Sequence, residues 1–203
     1  MQVLKCNFSD VYRDEDFLQG TVLDFTALEG TRCYCSREAA GAIRAALAPY
    51  GPGGIHWLDS GDYHYVSLFI QEMIVEPYSL VLFDNHPDDQ DAAFGPGILS
   101  CGSWVKEVRR LQNWRPEARN VYISIDKDVL GREYARTDWD QGGMTLDQLF
   151  ASIRDISLNH RIIGVDVCGE LPLSKGGCSE DVSINSKTNR IIQDFLLNLP
   201  GFE

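Results

Sequence analysis

Three short apolar segments, each bounded by polar residues, place the strongest constraint on the fold of this chain. They are Leu-Val-Leu-Phe at 80–83, Val-Tyr-Ile-Ser-Ile at 121–125 and Ile-Ile-Gly-Val-Asp-Val at 162–167. Segments of this kind are typical of strands that are buried on both faces under helices. Because helical patterns lie between them, the sequence predicts an α/β fold, a three-layer α-β-α sandwich with a mostly parallel sheet.

The other predicted elements follow the same alternation of strand and helix. A β-rich stretch at 21–28 precedes a helix at 36–50, for which Ser36 is the expected N-cap. Thr145 and Gln148 have the spacing of a capping box at the start of a later helix. In chain order, the later elements are a strand at 54–58, a helix at 65–75, a strand at 79–83, a helix at 104–111, a strand at 121–125, a helix at 146–156, a strand at 161–167 and a helix within 185–197.

Size, charge and cysteine usage narrow the protein class. A chain of 203 residues fits one α/β domain, 1–203, more comfortably than two. The formal charge of −12 argues against a nucleic-acid backbone or an anionic membrane as the main partner. With no secretory segment and no run of about 20 apolar residues, the six cysteines are expected to be thiols in the cytoplasm. A small-molecule substrate is expected, and a homo-oligomer is left open.

Each buried strand is followed directly by ionisable residues. The strand that ends at Leu58 precedes a polar run to His64. Of the three later strands, two precede acidic motifs and the last precedes Glu170. The acidic motifs hold, in order, Asp84, His86 and Asp88, and Asp126 and Asp128. Because the carboxyl ends of parallel strands form one edge of a sheet, these side chains are expected to converge there.

Clustered carboxylates at the mouth of an apolar sheet favour a metal site. Without a cation they would repel one another, and some would have to be protonated. Mixed carboxylate and imidazole ligands suit Mn²⁺, Fe²⁺, Co²⁺ or Zn²⁺, whereas oxygen-only shells suit Mg²⁺ or Ca²⁺. The sequence therefore predicts two divalent cations, with Mn²⁺ first and Fe²⁺ or Zn²⁺ as alternatives. Either motif alone would equally fit a helix cap or a solvated loop, and it is their combination that indicates metal.

The motifs resemble those of the ureohydrolase superfamily, which includes arginase, agmatinase and formimidoylglutamase. Its two aspartate motifs are matched by Asp84, His86 and Asp88 and by Ser124, Asp126 and Asp128. The segment from Gly61 to His64 is similar to the family's Gly-Asp-His segment with one extra residue, and Glu170 stands near the place of a late family glutamate. The chain looks like a short and divergent arginase-like member.

The resemblance implies roles for individual residues. Asp84 and Asp126 would bridge two cations around a hydroxide nucleophile. His64 and Asp88 would complete one cation site, and His86 and Asp128 the other. Glu170 would hold a cationic group of the substrate.

The departures from the family pattern concern the substrate loop. Where arginase has a proton-shuttling histidine, counting from Asp88 leads to Cys101, which could transfer protons, attack substrate or simply fill space. Gly97 and Leu99 stand where arginase has polar residues that hold an amino-acid carboxylate. Arginine itself is therefore a doubtful substrate.

Three functions follow from these patterns. The first is a binuclear metal hydrolase that acts on a linear C–N bond of a guanidino, amidino or related small molecule. The second is a metal-dependent phosphoesterase, although no glycine-rich phosphate loop or arginine cluster is visible. The third is an arginase-like protein that binds metal without catalysis. A single-zinc deacetylase is disfavoured by the pair Asp126 and Asp128.

Overall fold

The computed structural model describes residues 1–12, 20–92 and 98–202. Its eight strands are, in chain order, β1 (Val3–Asn7), β2 (Thr21–Asp24), β3 (Tyr34–Cys35), β4 (Ile55–Trp57), β5 (Tyr78–Phe83), β6 (Leu99–Ser100), β7 (Asn120–Asp126) and β8 (Arg161–Cys168). Six of them form a sheet in the order β2-β1-β4-β8-β7-β5, and every pairing in it is parallel. Strands β3 and β6 form a separate antiparallel pair.

Helices cover both faces of the six-stranded sheet. They are α1 (Arg37–Leu47), α2 (Val66–Gln71), α3 (Trp104–Val108), α4 (Leu146–Asn159) and α5 (Ser179–Leu197). Buried residues of α1, α2 and α3 form one core, and those of α4 and α5 form a second core on the opposite face. This arrangement confirms the predicted three-layer sandwich. None of the helices within the described residues combines the length and the apolar character that a membrane span requires.

Local signals placed the helix starts correctly where a cap was recognised. The Ser36 hydroxyl accepts the Ala39 N–H at 3.1 Å, as expected of an N-cap. Thr145 and Gln148 make both hydrogen bonds of a capping box. α3 also begins at Trp104, as predicted, but α5 begins at Ser179, ahead of the predicted 185–197. Strands β1, β3 and β6 were not predicted.

The side chains of β7 and β8 alternate between the two cores. Val121, Ile123 and Ile125 of β7 belong to the core under α4 and α5, whereas Tyr122 belongs to the core under α1, α2 and α3. Successive residues of a strand point to opposite faces, so Ser124 lies on the same face of β7 as Tyr122. These strands therefore have polar side chains on one face, although their sequences are apolar almost throughout.

Candidate metal centre

The carboxyl ends of β4, β5 and β7 bring the predicted metal residues together. His64 follows a short 3-10 turn, Gly61–Tyr63, that leads from β4 towards α2. Gly61 permits this approach, because a Cβ there would lie 2.9 Å from Trp139 Cδ1 and 3.1 Å from Asp126 Oδ2. The turn therefore places His64 against the end of β7.

One group of ligand atoms surrounds His64 and is called the His64 position. His64 Nδ1 lies 3.3 Å from Asp84 Oδ2, 3.1 Å from Asp88 Oδ2 and 3.6 Å from Asp126 Oδ2. All four side chains are at least nine-tenths buried. Trp104 Nε1 donates to the same Asp88 oxygen at 2.7 Å and so holds that carboxylate in place.

A second group surrounds His86 and is called the His86 position. His86 Nδ1 lies 2.8 Å from Asp128 Oδ2 and 3.7 Å from Asp84 Oδ1. Asp84 therefore presents one oxygen to each position. Asp126 presents Oδ2 to His64, while its Oδ1 accepts the Asp128 N–H at 2.9 Å. The structure thus brings together all six predicted metal residues.

Two buried atoms test whether the cluster fits a cation. His64 Nδ1 and Asp84 Oδ2 are shielded from solvent and have no hydrogen-bond partner. The other ring nitrogen, His64 Nε2, is 2.8 Å from Ser124 Oγ, and that hydroxyl donates to Asp166 Oδ1 at 2.5 Å. Because the Ser124 proton is used in this way, Nε2–H is the donor to Ser124, and Nδ1 is left to face the carboxylates. A cation at the His64 position would satisfy both unpartnered atoms.

Asp166 lies at the end of this chain of hydrogen bonds and was not predicted. It is fully buried, and its second oxygen accepts the Ser67 hydroxyl at 2.5 Å. Gln71 Nε2 donates to that hydroxyl at 2.9 Å, so Ser67 of α2 and Ser124 of β7 hold the carboxylate from two sides. The signal in the sequence was a single acidic residue inside an otherwise apolar strand.

The pKa values show how the carboxylates crowd one another. Burial, followed by repulsion from Asp126 and Asp84, raises the pKa of Asp128 to about 9. Burial also raises the pKa of Asp126 to about 6. Burial opposes a charge on His64, but Cys168 and Asp84 outweigh it and raise the pKa of this histidine. Without a metal ion, therefore, protons take the place of cations in the cluster.

Glu170 is placed differently from the other predicted residues. Its Oε1 atom accepts from the Lys127 ammonium at 2.5 Å and from Asn189 Nδ2 at 2.7 Å. Lys127 is fully buried and also donates to Asn189 Oδ1 at 2.7 Å. The carboxylate predicted to hold a cationic substrate is thus neutralised by a lysine of the chain itself. The role of Glu170 in substrate binding stays a prediction. Its ion pair with Lys127 gives it a structural role.

A cavity of about 240 Å³ opens beside the cluster, and five of the six metal residues line it. Cys101 lies on its wall with Cys33, and the Cys101 N–H donates to Cys33 O at 2.9 Å. Burial raises the pKa of Cys101 to about 12, so its side chain is a thiol at neutral pH. The other lining residues are Tyr34, Gly61, Gln90, Ser100, Gly102 and Trp139.

Asp62 belongs to a set of ion pairs next to the cavity. It pairs with Lys175, which also pairs with Asp138 next to the cavity residue Trp139. Cys33 Sγ lies 3.1 Å from Asp62 Oδ1. The Lys175 ion pairs thus tie the loop that carries Trp139 to the turn that precedes His64.

A larger cavity of about 670 Å³ lies between α1, α2 and α3. Its wall includes the exposed ion pair of Arg44 with Glu72. None of the described groups of potential metal ligands lies in it. The candidate site is therefore not the larger cavity but the smaller one, which the predicted metal residues line.

Comparison with known proteins gives relatives in sequence and in structure. No known protein-family profile matches the sequence. An uncharacterized protein of Thermotoga maritima is 28% identical over 231 aligned positions, which cover 97% of this chain and 92% of the relative. This relative shows that the whole chain has a counterpart of similar extent.

Several solved structures share the fold at low sequence identity. Proclavaminate amidino hydrolase from Streptomyces clavuligerus matches with a TM-score of 0.69 and 15% identity, covering 98% of this chain and 91% of that one. Arginase from Bacillus subtilis matches with a TM-score of 0.62 and 10% identity over 98% of both chains. A triple mutant of the T. brucei arginase-like protein, bound with Mn²⁺, matches with a TM-score of 0.55 and 17% identity, covering 100% and 91%. The resemblance drawn from the motifs is confirmed at the level of structure: this chain has the arginase-like α/β fold of the ureohydrolases.

Proposed function

We propose that this protein is a metal-dependent hydrolase of the ureohydrolase type that binds two divalent cations and cleaves a linear C–N bond in a small guanidino, amidino or related compound. The observation that carries the proposal is the pair of unpartnered buried atoms, His64 Nδ1 and Asp84 Oδ2, within a cluster of four aspartates and two histidines. The arginase-like fold supports it, because hydrolases of this type are found among the structural neighbours.

The protein's own residues would bind and orient the reacting groups. His64 and Asp88 would hold one cation and His86 and Asp128 the other, with Asp84 shared and Asp126 beside His64. The chemistry that two bound divalent cations supply is activation of water and stabilisation of the negative charge that develops on the substrate. Ser124 and Asp166 keep His64 in the tautomer that such binding requires.

The cavity wall favours a small substrate that carries no charge outside its guanidino or amidino group. Among the described lining residues other than the metal cluster, no side chain carries a charge. The only acid predicted to hold a cationic group, Glu170, is paired with Lys127. Trp139 and Gln90 offer an aromatic surface and an amide instead. These walls agree with the expectation that arginine, with its charged amino-acid end, is a doubtful substrate.

The same cavity disfavours a phosphoesterase. Phosphate recognition commonly uses arginine, lysine or a glycine-rich loop. No arginine or lysine is among the described residues that line the cavity. A metal-binding protein without catalysis is the remaining alternative, and a substrate screen separates it from a hydrolase.

The remaining expectations extend the proposal. All six cysteines are free thiols, which agrees with a reducing, cytoplasmic setting. The donor set of imidazole and carboxylate suits Mn²⁺, and Fe²⁺ or Zn²⁺ are the alternatives. Cys101, as a thiol on the cavity wall, could hold or donate a proton near the reacting group.

The test combines metal analysis with a substrate screen. Protein freed of metal and reloaded should hold about two divalent ions per chain, and it should release urea or ammonia from one class of guanidino or amidino compound. Asp88→Asn should lower both metal content and turnover. Asp89→Asn is the matched control, because Asp89 is exposed and pairs with Arg109. Turnover of phosphodiesters alone, in a parallel panel, would contradict the proposal.

A further inference from the structure

Cys168, the last residue of β8, lies against the metal cluster. Its Sγ is 3.1 Å from Asp126 Oδ2, the same oxygen that lies 3.6 Å from His64 Nδ1. The ligand atoms of His64, Asp126 and Cys168 all lie within 4.8 Å of one another. All three residues are buried. A sulfur atom therefore lies within ligand distance of two residues of the His64 position.

The backbone of β8 brings this sulfur to the cluster. Cys168 is the register partner of Asp126 in the pairing of β7 with β8, so the two side chains point to the same face. The next residue, Gly169, has a φ of +92°, and a Cβ there would lie 2.3 Å from Asp126 Oδ1. Only glycine allows the end of β8 to come this close to the aspartate.

A second observation points to a ligand at this place. His64 Nδ1 is buried and has no hydrogen-bond partner. His64 cannot turn away from the carboxylates and the sulfur, because Ser124 and Asp166 hold its other nitrogen. The unpartnered nitrogen and the sulfur therefore lie beside the same Asp126 oxygen.

We propose that Cys168 is a ligand of the cation at the His64 position, which would combine nitrogen, oxygen and sulfur donors. This proposal rests on the metal centre of the proposed function and adds a residue to it. On binding, the S–H bond breaks, the proton leaves to solvent, and a sulfur lone pair forms the bond to the metal. No oxidant or reductant takes part in this step.

The consequence is a different metal preference at the two positions. Thiolate is a softer ligand than carboxylate and favours Zn²⁺, Fe²⁺ or Co²⁺ over Mn²⁺. The His86 position, as described, offers only imidazole and carboxylate from Asp84, His86 and Asp128. The His64 position should therefore select a softer ion, while the His86 position accepts Mn²⁺.

Cobalt spectroscopy tests the sulfur ligand directly. Metal-free protein titrated with Co²⁺ should show a sulfur-to-cobalt charge-transfer band in the near ultraviolet together with visible d–d bands. Cys168→Ser should lose the charge-transfer band, keep d–d bands, and bind Co²⁺ at least about tenfold more weakly. Cys6→Ser is the control, because Cys6 is equally buried in the core under α1, α2 and α3 but lies outside the cluster. It should keep both sets of bands.

The outcomes separate this inference from the proposed function. Cobalt d–d bands without a charge-transfer band in the unaltered protein, or a charge-transfer band that survives Cys168→Ser, would overturn the sulfur ligand and leave the metal centre intact. Absence of any bound cobalt would overturn both. If Cys168→Ser does not fold, X-ray absorption of the zinc-loaded unaltered protein decides: a Zn–S distance of about 2.3 Å is expected, and a shell of nitrogen and oxygen alone at about 2.0–2.2 Å would contradict it.

Discussion

The His64 and His86 positions use similar donors in very different surroundings. The His64 side chain is 1% exposed, and Ser124 and Asp166 hold its second nitrogen. The His86 side chain is 33% exposed, and its aromatic neighbour is Trp139, with ring centroids 6.0 Å apart. One position is built into the sheet, whereas the other opens on the cavity.

This difference suggests a division of roles. A buried site with fixed ligands loses little conformational freedom when an ion binds, so the His64 position should bind more tightly and exchange more slowly. The His86 position borders the cavity, where substrate and water can enter. The experiments that follow separate the two positions.

Removing the shared carboxylate should have the largest effect. Asp84 presents Oδ2 to His64 and Oδ1 to His86, so Asp84→Asn should weaken both positions at once. We expect the loss of metal affinity to exceed the roughly 10–100-fold that removal of an outer partner causes, and turnover to disappear with it. Metal analysis after dialysis measures this. Asp24→Asn, at the end of the edge strand β2, is the control. Full metal content in Asp84→Asn would contradict the inference that Asp84 serves both positions.

Breaking the ion pair behind both positions should mainly affect folding. Lys127 lies between Asp126 and Asp128, and Lys127→Met would leave the Glu170 carboxylate buried without its cation. The free energy of unfolding should fall by about 3–5 kcal/mol, and Lys127→Met/Glu170→Met should recover much of it. Urea unfolding of the metal-free proteins gives both values. If the single variant is as stable as the unaltered protein and its substrate affinity falls instead, Glu170 has the predicted role in binding substrate.

Loss of the support behind His64 should distinguish the two positions most clearly. Asp166→Asn should lower affinity at the His64 position by about 10–100-fold and leave the His86 position nearly unchanged. Competition titration with a chelating dye resolves two binding steps and measures each. Ser79→Ala serves as a control, since Ser79 is buried on β5 and the hydrogen bonds of its hydroxyl to Ala118 O and Asn120 O are long, at 3.5 Å. An equal loss at both positions would show that Asp166 acts on the cluster as a whole.

A further expected effect is a pH dependence of stability that arises near the His86 position. The folded, metal-free protein raises the pKa of Asp128 from 3.8 to about 9, chiefly through burial. The contribution of this group to stability is therefore fully present below about pH 4 and is lost as the pH rises through about 9. Metal-free protein should lose at most about 1.4 kcal/mol per pH unit from this proton within that range.

Urea unfolding at about pH 5 and about pH 8 tests this dependence. Asp128→Asn should flatten it, because the amide does not titrate. Bound cations should also remove it, since binding requires the carboxylate form. An unchanged slope in Asp128→Asn would assign the proton to another member of the cluster, such as Asp126, whose pKa burial raises to about 6.

The convergence of the predicted metal ligands could be foreseen because their spacing is local. Asp84, His86 and Asp88 follow one strand directly, so the sheet edge alone brings them to one place. Asp166 and Cys168 were not predicted as part of the site. Their strand was interpreted as apolar on both faces, and their roles depend on which strand lies next to β8. A pattern along one segment does not contain that information.

Two levels of organisation are therefore visible in this protein. The alternation of apolar segments and helices, with acids after each strand, by itself determined the α/β class and the edge at which the six predicted ligands meet. Backbone periodicity and strand direction are local properties. Only the tertiary structure decided that Lys127 neutralises Glu170, that Ser124 and Asp166 orient His64, and that Cys168 borders the cluster. These contacts join residues more than 40 positions apart, and their energies depend on burial and on neighbours that only the folded sheet supplies.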